Sequence, residues 1–294
     1  MKIGRFNHDR LGVIQGDRIV DVSAVLEQLP PQPWPGTWGD PLIASLAQIR
    51  PLIEERLETA PVLALREVRL DSPVARPSKI IGAPANFALH IEESKADAAI
   101  AASGTIKTIA EHGLFLKASS SLVGFGEGVS LRFPERRTDH EAEFVVVIGR
   151  EGSDIPEDRA LDYVAGYSLG LDVTLRGGEE RSFRKSIDSY TVLGPWFVTS
   201  DEIKNPGDVQ FRLRVNGVTR QDANTRDMLF GISQLISLAS RFYRLYPGDL
   251  IFTGAPAGVG QIRDGDRIDV ECDGIGSGTV WVAGPKPAGD AVHV

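Results

Sequence analysis

Cysteine is almost absent: Cys272 is the single one among 294 residues. That excludes an intrachain disulfide and any zinc site built from cysteines, and it fits a reducing compartment. No stretch approaches the roughly 18 to 20 uncharged apolar residues that a bilayer-spanning helix needs, and Met1-Lys2-Ile3-Gly4-Arg5 leads into polar sequence instead of a signal-peptide core. A cytoplasmic protein with no membrane partner is therefore expected. Clustered Lys and Arg are lacking too, and a formal net charge of −8 argues against a nucleic-acid surface. Internal repeats, heptads and low-complexity tracts are missing. Gly258-Val259-Gly260 follows the strand-like Leu250 to Thr253 but runs into Gln261-Ile262-Arg263-Asp264-Gly265-Asp266, a turn and not a helix, which removes the context of a dinucleotide-binding loop. Asp264-Gly265-Asp266 likewise lacks the ligand spacing of an EF-hand.

What is present is the composition of an ordinary globular protein, 42% hydrophobic and 24% charged, in a chain long enough for a substantial core. Ile3 to Phe6, Leu11 to Ile14 and Ile19 to Val22, with a turn at Gly16-Asp17, read as a small β-meander. A Pro-rich loop follows at Pro30 to Gly36. Leu42, Ile43, Leu46, Ile49, Leu52 and Ile53 then recur at helical spacing up to about Leu57. The stretch from Asp71 to Pro77 reads as a linker, so a small N-terminal α/β domain over 1–75 and a main domain over 76–294 are expected.

The main domain opens with the short strand Lys79 to Gly82. The Ala- and Ser-rich segment that follows, as far as His112, has few large apolar residues and reads as a mobile lid. Strand signals dominate after it. Phe211 to Val215 and Val218 to Gln221 are joined by Asn216-Gly217, a strong hairpin signal. A helix is expected from about Arg226 to Arg244, with Asn224 or Thr225 as N-cap and Leu229, Ile232, Leu235, Ile236, Ala239 and Tyr243 on the buried face. The expected class is α+β and rich in β.

The chemistry centres on Glu141 and Glu143, which precede the apolar run Phe144 to Ile148. Residues i and i+2 of a strand share a face, so both carboxylates would enter one space, with Asp172 as a third. Three carboxylates suit a hard cation, Mg²⁺ or Mn²⁺ in its place, with coordination positions left for water or a chelating substrate. On spacing alone, two exposed glutamates on a solvated strand face are the favoured reading. An anionic substrate would also need local positive charge against the net −8, from Arg176, Arg184 and Lys185.

Several motifs follow in order along the main domain: Asn86-Phe87-Ala88-Leu89-His90 with Glu93, Phe115-Leu116-Lys117, His140-Glu141-Ala142-Glu143, Gly166-Tyr167 with Asp172-Val173-Thr174, and Lys185-Ser186-Ile187-Asp188 with Leu193-Gly194-Pro195. Gln221 to Thr225 and Pro247-Gly248-Asp249, with Thr253-Gly254-Ala255-Pro256 through Gly260, complete the set. Taken together they resemble the fumarylacetoacetate hydrolase family over about residues 78 to 284. The resemblance implies a mixed β-sandwich roll of the family's C-terminal type, a homodimer, and Mg²⁺-dependent chemistry on a small 2-oxo or β-diketo acid. The leading expectation is hydrolysis of a carbon–carbon bond in an acylpyruvate. Decarboxylation or isomerisation of a 2-oxo acid is the alternative, and a non-catalytic binding protein a more distant one.

By the same resemblance Glu141, Glu143 and Asp172 are the metal ligands, and Lys185 stands near the substrate, although the run Arg181 to Lys185 by itself reads as a polar surface. His90 and Glu93, three apart and on one face if their segment is helical, would activate water. His112 and His140 have weaker claims, His140 as a neighbour of the metal shell. Arg176, Glu179, Asp188, Thr253, Gly254 and Ala255 fall where substrate is held. Three positions depart from the family pattern: Gly177 replaces an Asp, Glu179 a Gln and Ala255 a Thr. A lost hydroxyl and an added negative charge predict a bulkier, less acidic or hydroxylated acyl portion.

Overall fold

The first three strands, Lys2–Phe6, Arg10–Gln15 and Arg18–Asp21, form the expected meander, with left-handed backbone at Asn7, His8 and Gly16 making its turns. A computed structural model describes residues 1–32, 34–97, 100 and 109–284 of the chain. The apolar residues after Pro41 form two short helices, Pro41–Ala44 and Leu46–Arg56, which bury Leu42, Ile43, Ile49 and Ile53 against the meander. Asp40 caps the first: its Oδ1 accepts from the amides of Leu42 and Ile43. Its Oδ2 accepts from Ala75 and Arg76, so one carboxylate also pins the stretch read as a linker.

That stretch does not separate two cores. Lys2 and Ile3 pair antiparallel with Val198 and Phe197, which makes the N-terminal meander an extension of the main sheet. Ile3, Val20, Ile49 and Ile53 pack in one cluster with Ile80, Val145, Leu193 and Phe252 from the rest of the chain. From Lys2–Phe6 the sheet continues through Thr191–Thr199, Val164–Asp172, Ala142–Ile148, Leu250–Phe252 and Ile80–Gly82 to Phe115–Lys117. A second sheet holds Val218–Asn224, Gln210–Val215, Arg267–Cys272, Gly276–Ala283 and Val129–Ser130, and a small third one joins Thr174–Leu175, Thr138–His140 and Gly260–Gln261. The fold is β-rich with few helices, as expected. In the hairpin, Asn216 and Gly217 both have positive φ (50° and 80°), which the favoured two-residue turn requires. Among the described residues no helix is long and apolar enough to cross a membrane.

Two expectations about helices change. The C-terminal helix spans Ile232–Phe242 and starts at Gly231, not near Arg226. Ile232, Leu235, Ile236 and Ala239 are buried as expected, but Leu229 is exposed. The cause is Asn86, whose carbonyl takes the amide of Leu229 and whose Oδ1 takes the amide of Phe230, fixing this stretch outside the helix. Asn224 then caps only the single turn Thr225–Asp227. In the expected lid, Ala88–Ala96 is a helix that buries His90 and Ser94, while 98–99 and 101–108 lie outside the described residues.

Because sheet and core run across residue 75, thermal unfolding is expected to show one cooperative transition, with equal calorimetric and van't Hoff enthalpies. Two resolved calorimetric peaks would restore a domain boundary there.

Candidate metal centre and active site

Antiparallel pairing of Ala142 with Leu171 and of Glu143 with Gly170 sets Glu141 beside Asp172, whose amide donates to the Glu141 carbonyl (2.8 Å). Glu141 is the residue between Thr138–His140 and Ala142–Ile148, and Glu143 lies two further on. One ligand atom from each of Glu141, Glu143 and Asp172 lies within 4.8 Å of the others, and all three side chains are buried. Burial decides between the two sequence readings: these are not exposed glutamates on a solvated face.

Three buried carboxylates repel one another and need cations. Lys185 Nζ, at the end of helix Arg181–Lys185, donates to Glu141 Oε2 (2.7 Å), Asp172 Oδ2 (2.5 Å) and Thr174 Oγ1. Lys117 Nζ, from strand Phe115–Lys117, donates to Asp172 Oδ1 (2.5 Å) and the Tyr190 carbonyl. Arg176 donates to Glu141 Oε1 (2.8 Å) and to Asp139, which Arg137 also holds. Burial alone would raise the Glu141 carboxyl, but Lys185 and Arg176 outweigh it and hold it far below the usual carboxylate range. Glu143 goes the other way. Burial, then the charge on Asp172, pushes its carboxyl well above that range. Its Oε2 accepts the Gly254 amide (2.6 Å), and no Lys or Arg among the described residues pairs with it. The protein's own cations thus satisfy two of the three carboxylates and leave Glu143 without one, and an oxygen-ligated divalent ion fits that donor set.

A cavity of about 300 Å³ opens on this centre, lined by His90, Ser94, His112, Phe115, Arg181 and Ala255 among others. His90 Nδ1 lies 3.0 Å from Glu93 Oε2, and Glu93 Oε1 accepts the Gly258 amide (2.9 Å), so the pair is rigidly oriented on its helix. A carboxylate partner favours the tautomer with the proton on Nδ1 and a free lone pair on Nε2. His112 also faces the cavity. His140 is buried behind the ligands, its Nδ1 on Gln221 Oε1, and burial pulls its pKa down.

The substrate residues named from the sequence divide. Ala255 lines the cavity. Thr253 spends its hydroxyl on the Phe144 carbonyl, and Gly254 (φ +100°) turns its amide onto Glu143 where a Cβ would strike Asn86. Arg176 lines the cavity but is committed to Asp139 and Glu141. Asp188 is not placed with them: the chain turns away after helix Arg181–Lys185, and Asp188 is exposed off the cavity wall. Glu179 is at the rim, but it is not the uncompensated charge that was expected, because Arg136 holds both of its oxygens (2.9 Å each). The same pair lies against Gly177, where a Cβ would fall 2.2 Å from the Arg136 guanidinium and 2.3 Å from the Glu179 carboxylate and would displace these side-chain ends.

Sequence reasoning missed Lys117, Asp139 and Arg181 as parts of the site. A lysine inside the apolar strand of Phe115-Leu116-Lys117 was the available signal for the first. Asn86 was singled out, but it is a clamp: its side chain bonds the Phe230 and Thr253 carbonyls and the Phe230 amide.

Residues 79–283 match the model of the fumarylacetoacetate (FAA) hydrolase C-terminal family. The chain belongs to the fumarylacetoacetate hydrolase family. It is 50% identical over 284 residues to a maleylpyruvate hydrolase of Aquipseudomonas alcaligenes, covering 96% of this chain and 99% of that one. It is 33% identical over 228 residues to a mitochondrial oxaloacetate tautomerase of Rattus norvegicus, covering 74% and 70%. Among solved structures, maleylpyruvate hydrolase from Sphingobium sp. SYK-6 in complex with manganese(II) and pyruvate superposes with a TM-score of 0.82 at 36% identity, covering 97% of this chain and all of that one.

The unequal treatment of the carboxylates has a direct test. Replacing Glu143 with Gln relieves repulsion while its oxygen can still accept the Gly254 amide, so in chelator the melting temperature should be no lower than the parent's. The rise on adding Mn²⁺ or Mg²⁺, about 2.7 kcal/mol of added stability at a hundredfold excess over Kd, should disappear. A variant that melts lower in chelator yet keeps its metal-induced rise would contradict the assignment.

Proposed function

We propose that this protein is a metal-dependent hydrolase that cleaves a carbon–carbon bond in an acylpyruvate, with Mg²⁺ or Mn²⁺ at Glu141, Glu143 and Asp172. The observation that carries the reading is the meeting, in one cavity, of a buried carboxylate triad and a histidine oriented by a glutamate. The 50% identical maleylpyruvate hydrolase and the manganese–pyruvate complex of the structural neighbour support it. A homodimer is the assembly we propose.

Splitting an acylpyruvate requires water to add to the acyl carbonyl and the bonding electron pair to leave as the enolate of pyruvate. When bound, the divalent ion supplies electrophilic stabilisation of that enolate. His90 Nε2 takes the proton of the attacking water, and Glu93 holds the ring and stabilises the imidazolium that results. The water oxygen ends in the acyl carboxylate, and the proton ends on the enolate carbon as it becomes the methyl group of pyruvate. Lys185 keeps an ammonium beside Glu141 and Asp172, so the anionic enolate forms next to fixed positive charge. The rim glutamate does not oppose an acidic acyl group once Arg136 holds it, and a maleyl-type dicarboxylic substrate replaces the less acidic one expected from the sequence.

His90→Ala should lower kcat by about 10² to 10⁴ while the Mn²⁺-induced rise in melting temperature persists. The activity itself is checked by incubating the metal-loaded protein with maleylpyruvate, acetylpyruvate and oxaloacetate. One pyruvate and one carboxylic acid per acylpyruvate consumed is the expected outcome. Carbon dioxide release, or keto–enol exchange of oxaloacetate with both acylpyruvates left intact, would move the protein to the alternative reactions.

A further inference from the structure

Building on the acylpyruvate reading, we propose that Arg181 binds the distal carboxylate of the acyl portion and so selects dicarboxylic acylpyruvates. The cavity is lined by three arginines, and two of them are occupied. Arg176 is bound to Asp139 and Glu141. Arg184 gives its Nε to the Glu179 carbonyl and its Nη1 to the Leu175 carbonyl, which shapes the loop before the helix. Arg181 has no ion pair or hydrogen bond among the described residues; the acids that act on it through space are Glu141, Asp172 and Glu180. Glu180 is its neighbour in the chain, but the Glu180 carboxylate is turned onto the amides of Ser182 and Phe183.

Arg181 is also in the right place. It opens the helix that ends in Lys185, four residues on, so the two side chains share a face and are separated by about 6 Å along the axis. Both lie over one ring: Arg181 Cζ is 5.6 Å and Lys185 Nζ 5.4 Å from the centroid of Phe115. Lys185 marks the metal end, since it touches Glu141 and Asp172. Arg181 stands one helical turn away along the apolar ring, a distance a short unsaturated acyl chain spans. Burial works against its charge, and a guanidinium keeps its proton regardless, so the group is a desolvated cation with fork geometry suited to a carboxylate.

The experiment compares Arg181→Met and Arg181→Lys with the parent, all Mn²⁺-loaded and full length, on maleylpyruvate (two carboxylates) and acetylpyruvate (one). Loss of a charge-assisted hydrogen bond predicts that Arg181→Met raises KM for maleylpyruvate relative to acetylpyruvate by roughly 10- to 150-fold, with kcat much less affected. Arg181→Lys should recover part of the difference. Equal losses on both substrates would overturn the proposal by placing Arg181 at the shared pyruvate end. No loss on either would overturn it as well. Calorimetric titration of maleate, the product that carries the distal carboxylate, separates this from the activity: weaker binding by Arg181→Met supports the assignment, and equal binding overturns it. A parent inert toward both acylpyruvates but binding maleate through Arg181 would sink the reaction and leave the anion site standing.

Discussion

Three carboxylates forced together out of water are the constraint around which this site is arranged. With ligand atoms within 4.8 Å of one another, each pair of unit charges would repel by at least about 3.5 kcal/mol at an effective dielectric near 20. The protein answers with Lys117, Lys185 and Arg176, and the answer is uneven. Glu141 and Asp172 each have both oxygens bound by cations, whereas Glu143 keeps a backbone amide and an elevated pKa. A divalent ion at this site, which we propose, would supply Glu143 with the positive charge that its neighbours already have.

The positions of these groups follow from the sheet. Glu141 meets Asp172 because of one antiparallel register, and Lys117 reaches Asp172 from the strand at the sheet's end. Behind them Gln221 bridges His140, the Ala142 amide and the Pro256 carbonyl, which ties the ligand strand to the late loop. Removing one partner of such a buried pair generally costs about 3–5 kcal/mol, so the lysines matter to the fold as much as to the chemistry. On the proposed reading the cavity divides its work: the triad for the 2-oxo acid, His90 and Glu93 for water, and the face of helix Arg181–Lys185 for negative charge.

What the sequence made legible was local or chemically unambiguous. The meander, the Asn216-Gly217 hairpin and the apolar face of Ile232–Phe242 follow from turn chemistry and periodicity. Glu141, Glu143 and Asp172 suit a hard ion, but spacing alone favoured an exposed strand face; the family resemblance named them as ligands, and burial excluded the exposed face. What stayed hidden depends on partners distant in the chain. Leu229 has the right period for a helix, yet Asn86, more than a hundred residues earlier, holds its backbone elsewhere. Glu179 looked like an added charge because Arg136 is not beside it in sequence. Arg181 was hidden in a polar run whose other arginine, Arg184, turns to backbone carbonyls.

The most direct test of the central claim is anomalous diffraction from crystals soaked in Mn²⁺ and pyruvate. The account predicts one strong manganese peak among the carboxylates of Glu141, Glu143 and Asp172, with Lys185 still beside Glu141 or Asp172. A crystal that binds manganese elsewhere, with Glu141 and Asp172 on lysines and arginine and Glu143 on the Gly254 amide alone, would contradict it.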